Sequence, residues 1–188
     1  MSRIPKERRN KRCAAPACRL GQRVRAFAIG TVMKARRKAR TIALQALYEI
    51  DCTGHAPDLV VEQRLAEQPL DDELTAFARQ LVVGVMAQTT TLDKLIQKHA
   101  PEWPLDQMAL IDRNILRMAI WEFAAGRQTP IKVAINEAVE LAKLYGSDSA
   151  PRFVNGVLGA LATRQAEMLQ AFGHSAAAEP PNNEEVAG

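Results

Sequence analysis

The chain has 188 residues, 47% of them apolar, which suffices for one domain with a sizeable core and terminal arms. No uninterrupted apolar run approaches the roughly 18–20 residues that a bilayer-spanning helix requires. The net charge of +4 hides an asymmetry: residues 1–40 hold 14 of the 25 Lys and Arg against one acid, whereas residues 41–188 hold 11 against 20 acids. That split suggests a basic arm for a polyanion on a mildly acidic body.

Residues 1–32 form a basic extension interrupted by Pro5, Pro16, Gly21 and Gly30, with no apolar core for a secretory signal. Such a composition cannot bury enough surface to fold and is expected to be disordered. Met33-Lys34, directly before the first well-patterned helix, reads as an alternative start. A chain begun there would lose nine positive residues and one acid, turning the net charge from +4 to −4.

From Ala35 to about Asp51 the pattern is helical, with Ala39, Ile42, Ala43, Ala46, Leu47 and Ile50 on one side. Arg36, Arg37 and Arg40 fall along one flank of that stripe, with Lys38 on the other and Tyr48 further along the arginine flank. Cations in a first turn oppose the helix dipole by roughly a few tenths of a kcal/mol each. A purely structural helix more often places acids there, so the cluster reads as an anion-binding surface rather than a solvated face. Gly54 and Pro57 break the helix, and a shorter one is expected from Leu59 to Gln68, stopped by Pro69.

Asp71, Asp72 and Glu73 open a long helical pattern that ends at His99 and spans roughly 40 Å at 1.5 Å per residue. Gly84 and Thr89 to Thr91 are weak helix formers at which it can kink or split. A broad apolar face then predicts a helix from Leu105 to Ala125, with Asp112, Arg113 and Arg117 on its remaining strip and Gly126 as its stop.

Pro130–Gly159 is the best-specified stretch and reads as a helical hairpin. Thr129 is placed to act as N-cap and Pro130 suits the first helical position. Ile131, Ala134, Ile135, Ala138, Leu141, Ala142 and Tyr145 make one stripe, and Gly146 is expected to take the left-handed stop. After Ser147-Asp148-Ser149, Pro151 begins a helix carrying Phe153, Val154, Val157, Leu158 and Leu161. Gly156-Val157-Leu158-Gly159 matches the GXXG pattern by which KH domains clamp RNA, but its apolar middle within a helix points to close packing at the glycines. Residues 173–188 have no periodicity and read as a disordered tail.

No catalytic constellation stands out. There is no GxGxxG, P-loop or GxSxG. His55, His99 and His174 are scattered, and His55 beside Cys52 supplies only two potential zinc ligands. Cys13, Cys18 and Cys52 lack CxxC spacing and are odd in number, which fits a reducing cytoplasm. The chain is therefore expected to be non-enzymatic, with no cofactor and no metal.

KVAINEAVELAK (Lys132–Lys143) followed by FVNGVLG (Phe153–Gly159) resembles the NusB transcription antitermination family. So do DRNILRMAIWEF (Asp112–Phe123) and the arginine cluster after Met33 leading to LYEID (Leu47–Asp51). The order and spacing of these motifs agree from Met33 to Ala166. The resemblance implies an all-α fold of about seven helices in two packed small bundles, covering residues 33–172. It implies a cytoplasmic, RNA-binding antitermination factor that pairs with NusE, a small ribosomal-subunit protein. The pair would bind boxA RNA of ribosomal RNA operons and act with RNA polymerase and other Nus factors.

Carried over by position, the resemblance assigns RNA binding to Lys34, Arg36, Arg37, Lys38 and Arg40, with Tyr48 and Ser147, Asp148 and Ser149 as weaker members. Asp112, Arg113 and Arg117 match the side that contacts NusE. Where relatives often carry a second acid and a serine before FVNG, this chain has Ser149 and Ala150, so a side-chain cap must come from Ser149 or be lost. Two alternatives stand beside this reading. One is an interaction module, monomeric or homodimeric; the other is a fragment of a ribosomal-RNA cytosine methyltransferase, some of which begin with such a domain.

Overall fold

The computed structural model describes residues 17–127 and 129–173, and among these every regular element is helical. They form eight α-helices and one π-helical segment: α1 (Ala17–Thr53), α2 (Pro57–Glu67), α3 (Asp72–Ala87), α4 (Thr89–His99), α5 (Leu110–Ile120), the π-helical Trp121–Ala125, α6 (Ile131–Tyr145), α7 (Ala150–Ala162) and α8 (Gln165–Ala171). The chain forms two units, one up to Ala35 and one from Arg36 onward. The expectations for residues 1–16 and 174–188 lie outside the described residues.

Helix α1 begins at Ala17, upstream of the expected start at Ala35. No proline occurs between Pro16 and its end, and Ala, Arg, Leu and Lys are strong helix formers, so local propensity carries the helix through residues expected to lack order. Its expected stripe is buried, with Leu44 added to it. Gly54 stops it in the left-handed region, φ +69°, and donates its N–H to the Ile50 carbonyl at 2.9 Å.

The long pattern from Asp72 to His99 is two helices. The break falls at Gln88, where Thr89 Oγ1 turns back to the Val85 carbonyl at 2.9 Å and competes with the helical ladder. Gly84 is not the kink. A Cβ there would lie 2.1 Å from the Trp121 ring, so the missing side chain is what seats the indole. Asp71 caps α3 by accepting the Leu74 N–H at 2.9 Å.

Helix α5 starts at Leu110, not Leu105, because Ala109 is extended (ψ 133°) after a turn at Pro104. Its last turn widens to π spacing, with the Gly126 N–H on the Trp121 carbonyl at 2.8 Å. α6 and α7 pack on each other and on α5, and α4 touches α5 and α7. Leu116, Ile120, Leu141, Val154 and Leu158 are among the side chains sealed in this core.

Three features of the hairpin differ from the sequence-based reading. Thr129 does not cap α6, because its hydroxyl is buried and donates to Glu122. Gly146 is extended (φ −90°, ψ −177°) rather than left-handed. It is glycine for space: a Cβ would lie 2.5 Å from Ala150 Cβ, 2.8 Å from the Ala142 carbonyl oxygen and 2.9 Å from Asp112 Oδ1. Gly156 and Gly159 have no heavy atom within 4 Å of a Cβ position and face outward, so the helix contact is made by Val154, Val157, Leu158 and Leu161 instead. The cap of α7 is lost: Ser149 makes no side-chain cap bond, and its hydroxyl meets that of Ser147 at 3.1 Å.

Candidate functional site

Among the described side chains, the basic residues of α1 from Lys34 to Arg40 do not form one free cationic flank. Arg40 is 3% exposed, its Nε donating to Glu122 Oε2 at 2.9 Å, its NH2 donating to Oε1 and its NH1 lying 3.5 Å from Glu137. Arg40 is therefore withdrawn from the RNA-facing set. The reason is geometric: Arg40, Ala43 and Leu47 follow three- and four-residue steps, which places Arg40 on the stripe rather than beside it. Buried Glu122 on the π-helical turn and buried Glu137 on α6 then demand a cation.

Arg37 is partly covered and donates to Glu137 Oε2 at 2.9 Å and Oε1 at 2.8 Å, with Glu140 at 3.5 Å. The hydrogen bond to Glu137 raises its already high pKa against the opposing effect of burial. Arg36 is looser, 3.5 Å from exposed Glu73 and with its guanidinium 4.9 Å from the centre of the Phe77 ring. Lys38 Nζ donates to the Pro69 carbonyl at 3.4 Å and is otherwise in solvent. Lys34 is exposed and belongs to the first unit. Tyr48, 42% exposed, presents an aromatic surface on α1.

Arg113 and Arg117 also turn inward. Arg117, 5% exposed, forks onto Asp93 (Nε–Oδ1 2.7 Å, NH2–Oδ2 2.8 Å), and its NH1 donates to Asp51 Oδ2 and Asn114 Oδ1, each at 3.1 Å. Arg113 donates to the Leu105 carbonyl at 3.2 Å and approaches Asp51 at 3.4 Å. These arginines tie α1, α4 and α5 together, so neither offers a free guanidinium to a partner. Asp51, Asp93, Asn114, Glu122 and Glu137 were not singled out as functional from the sequence. Glu137 could have been, since it shares its helix face with Ala134 and Leu141.

Asp112 is the one member of its group that faces an opening. It lines a cleft of about 620 Å³ together with His99, Trp103, Ser147, Ser149 and Phe153. It is 8% exposed, and its Oδ1 has no hydrogen-bond partner. His99 Nε2 is likewise buried and unpartnered, and burial lowers the imidazole pKa. Trp103, 55% exposed, stacks edge-on against Phe153 with ring centres 5.6 Å apart. The Ser147–Ser149 turn thus lies at the Asp112 end of α5, whereas Arg37 and Arg40 engage Glu137 and Glu122 toward its other end. Asp112 and Glu122 are ten residues apart, roughly 15 Å along a helix. The structure brings the turn to the expected partner residue and not to the expected RNA residues.

Burial raises the Asp112 carboxyl pKa above its ordinary 3.8. The fold therefore opposes its ionisation: the penalty is absent where the group is protonated in both states and is complete above the folded-state pKa. Asp112→Asn is expected to be more stable than the parent at neutral pH. The gain should shrink as pH falls through the raised pKa toward 3.8, a trend that thermal midpoints measured across that range will check.

The NusB family model matches residues 37–163. The transcription antitermination protein NusB of Roseiflexus sp. (strain RS-1) is 50% identical over 134 residues, which cover 70% of this chain and 94% of that protein. The protein of the same name from Bacillus subtilis (strain 168) is 46% identical over 123 residues, covering 65% and 91%. Among solved structures, T. maritima NusB matches with a TM-score of 0.65 at 31% identity, covering 72% of this chain and 96% of that one. A chain in the crystal structure of antitermination factors NusB and NusE in complex with dsRNA matches with a TM-score of 0.65 at 27% identity, covering 70% and 98%.

Proposed function

The chain belongs to the NusB family, and on that premise we propose that it is a transcription antitermination protein that binds boxA-type leader RNA together with NusE. It acts without catalysis, in the cytoplasm, within a complex of RNA polymerase and other Nus factors on ribosomal RNA operons. The domain that does this is residues 33–172, with residues 1–32 as a basic extension and 173–188 as a tail. The observation that carries the reading is the match to a chain from a complex of NusB and NusE with dsRNA, which covers 98% of that chain and 70% of this one.

Two surfaces divide the work. Arg36 and exposed Tyr48, along one flank of α1, face the RNA; the guanidinium neutralises a phosphate and the ring stacks on a base. The cleft around Asp112, with Trp103, Phe153 and the Ser147–Ser149 turn, receives the protein partner. An exposed tryptophan beside an unpartnered buried carboxylate leaves both an apolar anchor and a hydrogen-bond acceptor unused, which is what a partner interface supplies. Arg37, Arg40, Arg113 and Arg117 hold the scaffold that positions both.

Binding of labelled boxA RNA, measured with and without NusE, tests the reading. The pair is expected to bind more tightly than the chain alone. Tyr48→Ala should weaken binding by about 1–3 kcal/mol, the worth of one stacked base, without loss of fold. Failure of the RNA to bind in either condition would overturn the proposal.

A further inference from the structure

Arg36, Arg37 and Arg40 are held in different ways. Arg37 and Arg40 meet Glu137 and Glu122, carboxylates that are themselves buried, so neither guanidinium can leave without stranding an acid in the core. Arg36 differs. Its side chain is 30% exposed, and its acid, Glu73, stands in the first turn of α3 with 82% of its side chain in solvent, 3.5 Å from the Arg36 NH2. That separation exceeds the roughly 2.7–2.9 Å of a charge-assisted hydrogen bond, and an exposed ion pair of this kind is weak and readily exchanged. The guanidinium is held instead by the ring of Phe77, one turn further along α3, whose centre lies 4.9 Å from Arg36 Cζ. Phe77 is 3% exposed, and the sealed guanidinium of Arg40 lies 5.3 Å from the centre of the same ring, so the platform is fixed by the core.

We infer that Glu73 occupies the phosphate position on Arg36 in the RNA-free chain, and that RNA binding exchanges this carboxylate for a phosphate. The inference deepens the RNA-binding reading given above and rests on it. The ligand is one phosphodiester of the RNA. A carboxylate and a phosphate both offer oxygen acceptors to guanidinium N–H groups, so one replaces the other without moving the arginine. Phe77 is a positioning residue that keeps the guanidinium in place, and Glu73 is an intrachain competitor that lowers affinity. Glu73 is already in water, so releasing it strands no buried charge, whereas the same exchange at Arg37 or Arg40 would strand Glu137 or Glu122. Nor does the start of α3 depend on Glu73, because Asp71 caps the helix through the Leu74 N–H and Asp72 shares the first turn.

The test is the affinity of the full chain for labelled boxA-type RNA with NusE present, at low salt. The parent is compared with Glu73→Gln, Arg36→Gln, the double variant and Asp72→Asn. Asp72→Asn removes an equal charge from the same exposed turn and controls for charge alone. Glu73→Gln should tighten binding by about two- to fivefold, the range that one exposed ion pair holds, and the gain should shrink as added salt screens the pair. Arg36→Gln should weaken binding, and in that background the Glu73 change should do no more than Asp72→Asn does in the parent. An unchanged affinity for Glu73→Gln, an equal gain from Asp72→Asn, or a gain that survives Arg36→Gln would each overturn the inference while the functional reading stands. A parent that binds the RNA neither with NusE nor without it overturns that reading as well, which is a separate result.

Discussion

Replacing Arg40 by alanine is expected to destabilise the domain by about 3–5 kcal/mol, because it leaves buried acids without their cation. Glu122 is 2% exposed and, among the described residues, would keep the Thr129 hydroxyl as its hydrogen-bond partner. Glu137 would retain Arg37, so the cost falls mainly on the π-helical turn. A domain of this size holds about 5–15 kcal/mol in all, so the variant should be near its unfolding threshold. Urea titration followed by circular dichroism should show a lower midpoint with an unchanged slope. RNA binding by Arg40→Ala should fall only in proportion to the unfolded fraction, whereas Tyr48→Ala should bind more weakly while folded. If Arg40→Ala is stable yet does not bind RNA, the buried assignment is wrong and this arginine belongs to the interface. Pairing Arg40→Met with Glu122→Leu removes both buried charges and should recover much of the stability.

The second large effect is expected at Arg117. Its guanidinium makes hydrogen bonds to Asp93, Asp51 and Asn114 from a 5% exposed position, and three helices depend on it. Burial opposes its charge, but Asp93 and Asp51 outweigh this and raise its pKa, so it is charged throughout the accessible range. Arg117→Ala should cost about 3–5 kcal/mol, and Arg117→Lys should restore only part of it, since an ammonium cannot span the two Asp93 oxygens. Thermal unfolding of the two variants against the parent will separate the fork from the charge; equal stability of Arg117→Lys and the parent would show that charge alone suffices. The two losses should add, because Arg40 and Arg117 share no partner.

The helical pattern was legible because it depends on neighbours three and four residues apart. The stripes at Ala39–Ile50, Leu74–Val85 and Ala134–Leu141 lie in the core, and the stops at Gly54 and Pro69 follow from backbone chemistry. The exceptions have local causes that composition does not reveal. Gly84 and Gly146 read as weak points or stops, yet each is glycine because a distant group, the Trp121 ring or Asp112 and Ala150, occupies the space of its Cβ.

The charged residues were legible as residues but not as roles. The motifs resembled one family in order, and the helices were legible because spacing along the chain determines which faces are apolar. Whether an arginine meets a phosphate or a carboxylate depends on what lies across the core. Arg37 finds Glu137 across 100 residues and Arg40 finds Glu122 across 82, separations over which no periodicity carries information. A cation next to an apolar stripe is consistent with a solvated flank and with a buried pair. Only the packing of α1 against α6 and the π-helical turn decided between them, since burying Glu122 and Glu137 is too costly unless the arginines turn inward. In the same way the resemblance assigned Asp112, Arg113 and Arg117 alike to a partner, while the tertiary structure separated Asp112 from the two arginines by leaving its Oδ1 without a hydrogen-bond partner at an open cleft.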